Sequence, residues 1–247
     1  MKLPEDPHRD FPFYQGNPVP LSAAHWCLLI AVIGLAFALL VAPISWPGGE
    51  LEAFVPAILF PLLPLVALSW VSKGNAACLF GPVGWREIKL MILFALLNIA
   101  VTMVVGGIVK FTIGATPNPA IATASQLAPT GLALFLTKTA VQLVGEEVLT
   151  IIPMLALLHL LVARAGLSRT RALLWAWLGS AAIFGLLHLP TYNWDFVQCL
   201  IIIGTARLVL SLAYIKTKNL WVSSGAHILN DWLLILMNVL GSSVLPS

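Results

Sequence analysis

Charge is what this sequence lacks most. Only 9% of its 247 residues are Asp, Glu, Lys or Arg, while 60% are hydrophobic and the mean hydropathy is +0.96. A soluble domain carries roughly 25% charged residues, so the deficit excludes a chain folded with its whole surface in water. Cysteine is scarce as well. Cys27, Cys78 and Cys199 share no metal-ligand spacing and offer no disulfide framework. There is no phosphate-binding glycine loop, no redox motif and no internal repeat. The net charge of +3 resides almost wholly in connectors, which speaks to membrane topology and against a nucleic-acid partner. Residues 1–25 hold Lys2, Glu5, Asp6, Arg9, Asp10 and several prolines without the apolar core of a secretory signal. The first apolar segment is therefore expected to remain as an anchor.

What is present is a series of long apolar windows, each able to cross a hydrocarbon core of ~30 Å as a helix. Seven are read, at 26–45, 52–72, 88–109, 131–163, 172–189, 195–215 and 220–240. The expected fold is all-α, a polytopic transmembrane helical bundle of about seven spans, or eight if the fourth window is broken. That window would make a rod of ~50 Å, and Pro153 within it is the expected kink. The expected organisation is an N-terminal cytoplasmic segment 1–25, one membrane domain 26–240 and a short tail 241–247. Of the connector cations, Lys2, Arg9, Lys73, Arg86, Lys89, Arg164, Arg169, Arg171, Lys216 and Lys218 fall on one side, and Lys110 alone on the other. The positive-inside rule then predicts a cytoplasmic N-terminus and an external C-terminus. The polar, proline-bearing stretch 112–130 reads as an external loop.

Against this apolar background a few ionisable residues stand out, and an intramembrane ionisable residue is a functional-site candidate by default. Glu146 and Glu147 are adjacent in the fourth window, with Lys138 and Gln142 at four-residue spacing before Glu146. The fifth ends with Phe184 and His188 on one helical face. The seventh carries Ser223, His227 and Asp231 along one stripe, bordered by Asn230. Arg207 in the sixth is either a counter-ion for a glutamate or a snorkelling residue. Arg86 and Arg169, with the neighbouring cations, read as topology markers or headgroup contacts, and His159 as interfacial.

Glu-Glu, then Phe-x-x-x-His, then Gly followed by His-x-x-x-Asn/Asp resembles the motif set of the CPBP (CAAX protease and bacteriocin-processing) family of intramembrane proteases. The resemblance covers about 131–240. It implies catalytic roles for Glu146, Glu147, His188, His227 and Asp231, with Asn230, Phe184 and Arg207 in support. The family's first motif continues to an arginine where this chain has Ile151, which makes Arg207 or Lys138 the candidate replacement counter-charge. The implied chemistry is hydrolysis of a peptide bond by a glutamate-activated water, without a cofactor. A zinc-dependent version would use Glu146, His188 and His227, although no His-x-x-x-His pair occurs. Expected partners are membrane lipids and a prenylated, peptide or membrane-associated protein substrate, in a bacterial inner membrane. The alternative is a non-proteolytic scaffold or proton relay built on the same residues. Depth poses a difficulty, because His188 ends an outward-going helix while Glu146 and His227 fall nearer the cytoplasm. Projection of the fourth helix and the start of the fifth into the cytoplasm would reconcile them, with a cytosol-facing cavity as the expected result.

Overall fold

The computed structural model describes residues 3–6 and 9–244; Lys2 and the end of the expected tail, 245–247, lie outside them. It contains eight α-helices: α1 (Ala23–Val41), α2 (Phe54–Val71), α3 (Trp85–Ile113), α4 (Pro119–Ala124), α5 (Pro129–Ala163), α6 (Arg169–Leu187), α7 (Gly204–Thr217) and α8 (Leu220–Val244). Six residues of π-helix, Gln198–Ile203, lead into α7. Among the described residues seven helical segments are long and apolar enough to span a membrane. The chain is an integral membrane protein by that criterion.

The fourth window is one unbroken 35-residue helix that continues through Pro153, so an eighth span does not arise there. Its place in the bundle explains its tolerance of the proline. Every residue from Glu147 to Leu155 is buried, so α5 is the central rod and its neighbours shield the weakened turn. By contrast α1 and α3 are peripheral, and α3 leaves Leu93, Met103, Val104 and Phe111 exposed as a lipid-facing stripe. The expected loop 112–130 is shorter than read: α3 runs on to Ile113, and Asn118 caps the added helix α4 through a bond to the Ala120 amide.

Two glycines permit close contacts near the diacid. A Cβ on Gly145 would run into the buried Phe60 ring of α2, and one on Gly185 would lie 2.5 Å from the Cys199 carbonyl oxygen. The second contact brings the end of α6 against the widened π-turn, a distortion frequent at functional sites.

The N-terminal segment is a packed cap. Phe11, Phe13, Tyr14 and Leu21 join the same core as α1, α2, α5 and α6. Arg169 forks onto Glu5 at 2.9 and 2.7 Å and bonds Asp10 at 2.6 Å, and Arg86 reaches Asp6 at 3.0 Å. Arg9 donates to the Cys78 and Phe80 carbonyls. Thus Arg86 and Arg169 bind carboxylates of the chain itself, which corrects their reading as headgroup contacts. His159 is not a free interfacial residue either, since its Nδ1 lies 2.8 Å from the Tyr14 carbonyl and its ring is tilted against Trp26.

The cap also sets where α8 begins. Lys218, Asn219 and Leu220, the turn between α7 and α8, are buried. Lys218 faces Glu5, and Asn219 bonds the Gly81 amide and the Pro82 carbonyl. Helix α8 therefore starts inside the protein, and His227, two turns along it, is level with the middle of α5.

Burial opposes ionisation of Glu5 and Asp10, but hydrogen bonds from Arg169 outweigh it and hold both carboxyls below their ordinary values of 4.5 and 3.8. Depressed folded-state values mean stability that is present above those ordinary values and lost as pH falls through the lower folded ones. Proteolysis of the N-terminal segment should therefore accelerate on acidification below about pH 4. Arg169→Ala should release it at neutral pH at a cost of about 1–2 kcal/mol, allowing for the partial exposure of the site, read by hydrogen exchange over residues 9–22.

Candidate active site

Glu147 and Arg207 form an ion pair at 2.5 Å with both side chains fully buried. The same Glu147 Oε1 lies 2.9 Å from His227 Nδ1. A carboxylate oxygen only accepts, so Nδ1 carries the proton and Nε2 is left for other work. That Nε2 lies 3.9 Å from Glu146 Oε2 and 3.8 Å from Asp231 Oδ1. The two adjacent glutamates thus differ sharply: Glu147 is enclosed, while Glu146 borders a cavity and keeps 16% of its side chain exposed.

Arg207 resolves the choice between counter-ion and snorkelling residue: it is the counter-ion of Glu147. The Ile151 side chain is itself fully buried in the core. The guanidinium also lies 5.0 Å from the centroid of Phe184, whose ring is 4.6 Å from that of His188. Phe184 is therefore wedged between the buried cation and the second histidine. His188 caps the end of α6 and is not within the helix, and its Nδ1 lies 2.9 Å from the Phe184 carbonyl. A carbonyl cannot donate, so this histidine also presents Nε2 to its surroundings.

A cavity of about 600 Å³ is lined by Glu146, His188, Arg207, His227, Asn230 and Asp231, together with Phe184. It brings together every candidate site residue from the sequence except Glu147, which stands behind it. A second cavity of about 490 Å³ lies on the other side of α5 between α1, α2 and the end of α6, and meets the first at Gln142, Glu146, Phe184 and His188.

Other expectations fare less evenly. Gln142 Nε2 donates to Glu146 Oε1 at 3.2 Å, as the stripe requires, but Lys138 lines only the second cavity and sits over Phe135 at 5.2 Å. Ser223 drops out of the α8 stripe, because its hydroxyl bonds back to the Leu220 carbonyl. Asn98 of α3 was not singled out, yet it is 1% exposed and donates to Asn230 Oδ1 at 3.0 Å, while Asn230 donates to Asp231 at 2.8 Å. The signal was available, as a lone amide within a long apolar helix invites the same question as a charge. Tyr192 also lines the cavity; burial, and secondly the Asp231 charge, push its phenol up to about 12. It remains a neutral hydrogen-bonding group at neutral pH.

Among the described residues no three His, Cys, Asp or Glu side chains converge as a metal-binding group. Glu146, His188 and His227, the zinc set left open by the sequence, do not converge in that way. Nor does the cavity meet the expectation of opening on the N-terminal side. Its lining extends instead to Lys110 and Thr116–Ile121, at the opposite end of the bundle.

Residues 128–233 match the family model described as type II CAAX prenyl endopeptidase Rce1-like. Over this segment the chain is similar to the CPBP, or CAAX-protease, family. The match begins one residue before α5 and ends within α8, so the cap and α1–α4, including Asn98, lie outside it. Among curated proteins and solved structures nothing matches the chain. The match suggests a protease of the CAAX type.

Because removing one partner of a buried ion pair strands the other charge, Arg207→Met should destabilise the fold by roughly 3–5 kcal/mol. The double variant Arg207→Met/Glu147→Gln should recover a measurable part of that loss in thermal unfolding. An additive double variant would show that the pair is not coupled.

Proposed function

We propose that the chain is an intramembrane endopeptidase that hydrolyses a peptide bond through a water activated by Glu146. The observation that supports this most is the division of labour between adjacent carboxylates. Glu147 is locked by Arg207 and His227, while Glu146 borders the cavity 3.9 Å from His227 Nε2, with His188 on the same lining. In this reading the Glu146 carboxylate takes a proton from water as the oxygen attacks the scissile carbonyl carbon, then returns it to the leaving nitrogen as the C–N bond breaks. His227, oriented by Glu147, and the Asn230–Asp231 pair flank the oxyanion, and His188 positions the water or the substrate carbonyl. Partners that fit are lipids around the exposed apolar faces and a peptide or membrane-associated protein in the cavity, in a bacterial inner membrane.

The relay alternative is less well supported. The polar series Asn98, Asn230, Asp231, His227, Glu147 ends at Arg207, which does not release its proton in proteins. Beyond it lie the apolar Ile151 and Ile152.

Purified protein in lipid, presented with a library of peptides and membrane proteins, should cleave a subset. Glu146→Gln should lower the rate at least about 100-fold, the lower range for loss of a general base, without a large shift in melting temperature, because its Oε1 contact is one 3.2 Å bond to Gln142. Survival of activity in chelator would agree with the metal-free reading; loss that zinc restores would overturn it. Well-folded wild type that cuts nothing would favour the scaffold.

A further inference from the structure

The proposed reaction needs a route for its substrate, and the two ends of the bundle are not equivalent. Toward the N-terminal face the site is closed. Below Glu147 the whole of α5 as far as Leu155 is buried, and Tyr214, Ile215, Leu220, Phe11 and Tyr14 complete one continuous apolar core beneath it. The cap lies across that core, held by Arg169, Lys218 and Arg9. Among the described residues, none of the cap lines either cavity.

Toward the opposite face the site is bordered by ends of helices and by connectors. The larger cavity reaches Lys110 at the end of α3, Thr116–Ile121, and Thr191 and Tyr192 after α6. The smaller reaches Val41 at the end of α1, Ala53 before α2, and Pro190. Both therefore extend from Glu146 to the same end of the bundle. The strap that forms the rim is fixed in place: Gln198 of the π-turn accepts from the Thr116 amide and donates to its carbonyl, each at 2.8 Å. The mouth is thus a built feature.

Charge distribution identifies this face. Every connector Lys and Arg among the described residues except Lys110 belongs to the N-terminal face, and cytoplasmic connectors carry the excess of Lys and Arg. We infer that the catalytic cavity opens on the extracytoplasmic side, and that the substrate is a peptide segment presented there, either the external juxtamembrane stretch of a membrane protein or an exported peptide resting on the outer leaflet. This inference rests on the protease reading for its substrate and on the charge asymmetry for its direction. A cytoplasmic protein prenylated at its C-terminus would meet the closed, capped face.

Walls match such an occupant. The larger cavity is mixed, with Asn98, Thr139, Gln142 and Gln198 among its polar groups, and suits an extended backbone. The smaller is walled by Phe37, Leu40, Phe60, Leu149 and Leu187, and suits apolar side chains beside the scissile bond. Both meet at Glu146.

The test has two independent arms on the full-length protein. In the first, Pro117→Cys at the rim and Ala165→Cys on the capped face, each in a background without the three native cysteines, are treated with a membrane-impermeant maleimide in sealed vesicles of right-side-out and inverted orientation. The rim thiol should label only right-side-out and the other only inverted; the reverse pattern would overturn the assignment. In the second, single-span reporters carrying the same randomised stretch are displayed on either side of the membrane. Cleavage of the external set, at least about 100-fold above Glu146→Gln, would support the inference, and cleavage confined to the cytoplasmic set would overturn it. Rim labelling from outside with no cleavage on either side would uphold the direction of the mouth and overturn the protease reading alone.

Discussion

The structure depends on one buried ion pair. Glu147 and Arg207 are both without solvent exposure at the middle of an apolar bundle, and neither charge is tolerable there without the other. Because Glu147 is on α5, Arg207 on α7 and His227 on α8, the pair with its histidine ties three helices at one depth. Rotation of any one of them would break a charge-assisted bond in a medium where water cannot replace it. The orientation of His227 follows from this constraint, and so does the withdrawal of Glu147 from the cavity that Glu146 borders.

How much of this was readable in advance varies with the kind of information needed. Glu146, Glu147, His188 and His227 stand out because an apolar background makes each polar residue conspicuous, and helical spacing places Phe184 beside His188. The departure at Ile151 drew attention to Arg207 and Lys138, and Arg207 is the one that pairs with a glutamate, reached from another helix. Spacing along one helix says nothing about the rotation of its neighbours, and for that reason the bond from Asn98 to Asn230 was not legible, although Asn98 itself is conspicuous in α3. Ser223, correctly spaced from His227, satisfies its own helix turn instead.

Depth was the other quantity that periodicity could not supply. A window of apolar residues marks a crossing but not the level at which the crossing starts. The turn at Lys218–Leu220 looks like a surface connector, and only the folded cap shows that it is interior. The cations Arg86 and Arg169 were ambiguous for a related reason: their carboxylate partners in the cap are 80 and 164 residues away, beyond any local pattern.

Those long separations have a consequence for the order of events during synthesis. Residues 5–14 leave the ribosome ahead of every helix, yet Lys218, which donates to the Asp6 carbonyl, is made 212 residues later. Domains tend to assemble from the N-terminus as they emerge, but the partners of this segment arrive in instalments: Cys78, Phe80 and Arg86, then Arg169, and Lys218 last. Phe11 meets the Tyr214 ring only when α7 has been made. Docking of the cap is therefore completed late, on a bundle that already contains α6 and α7.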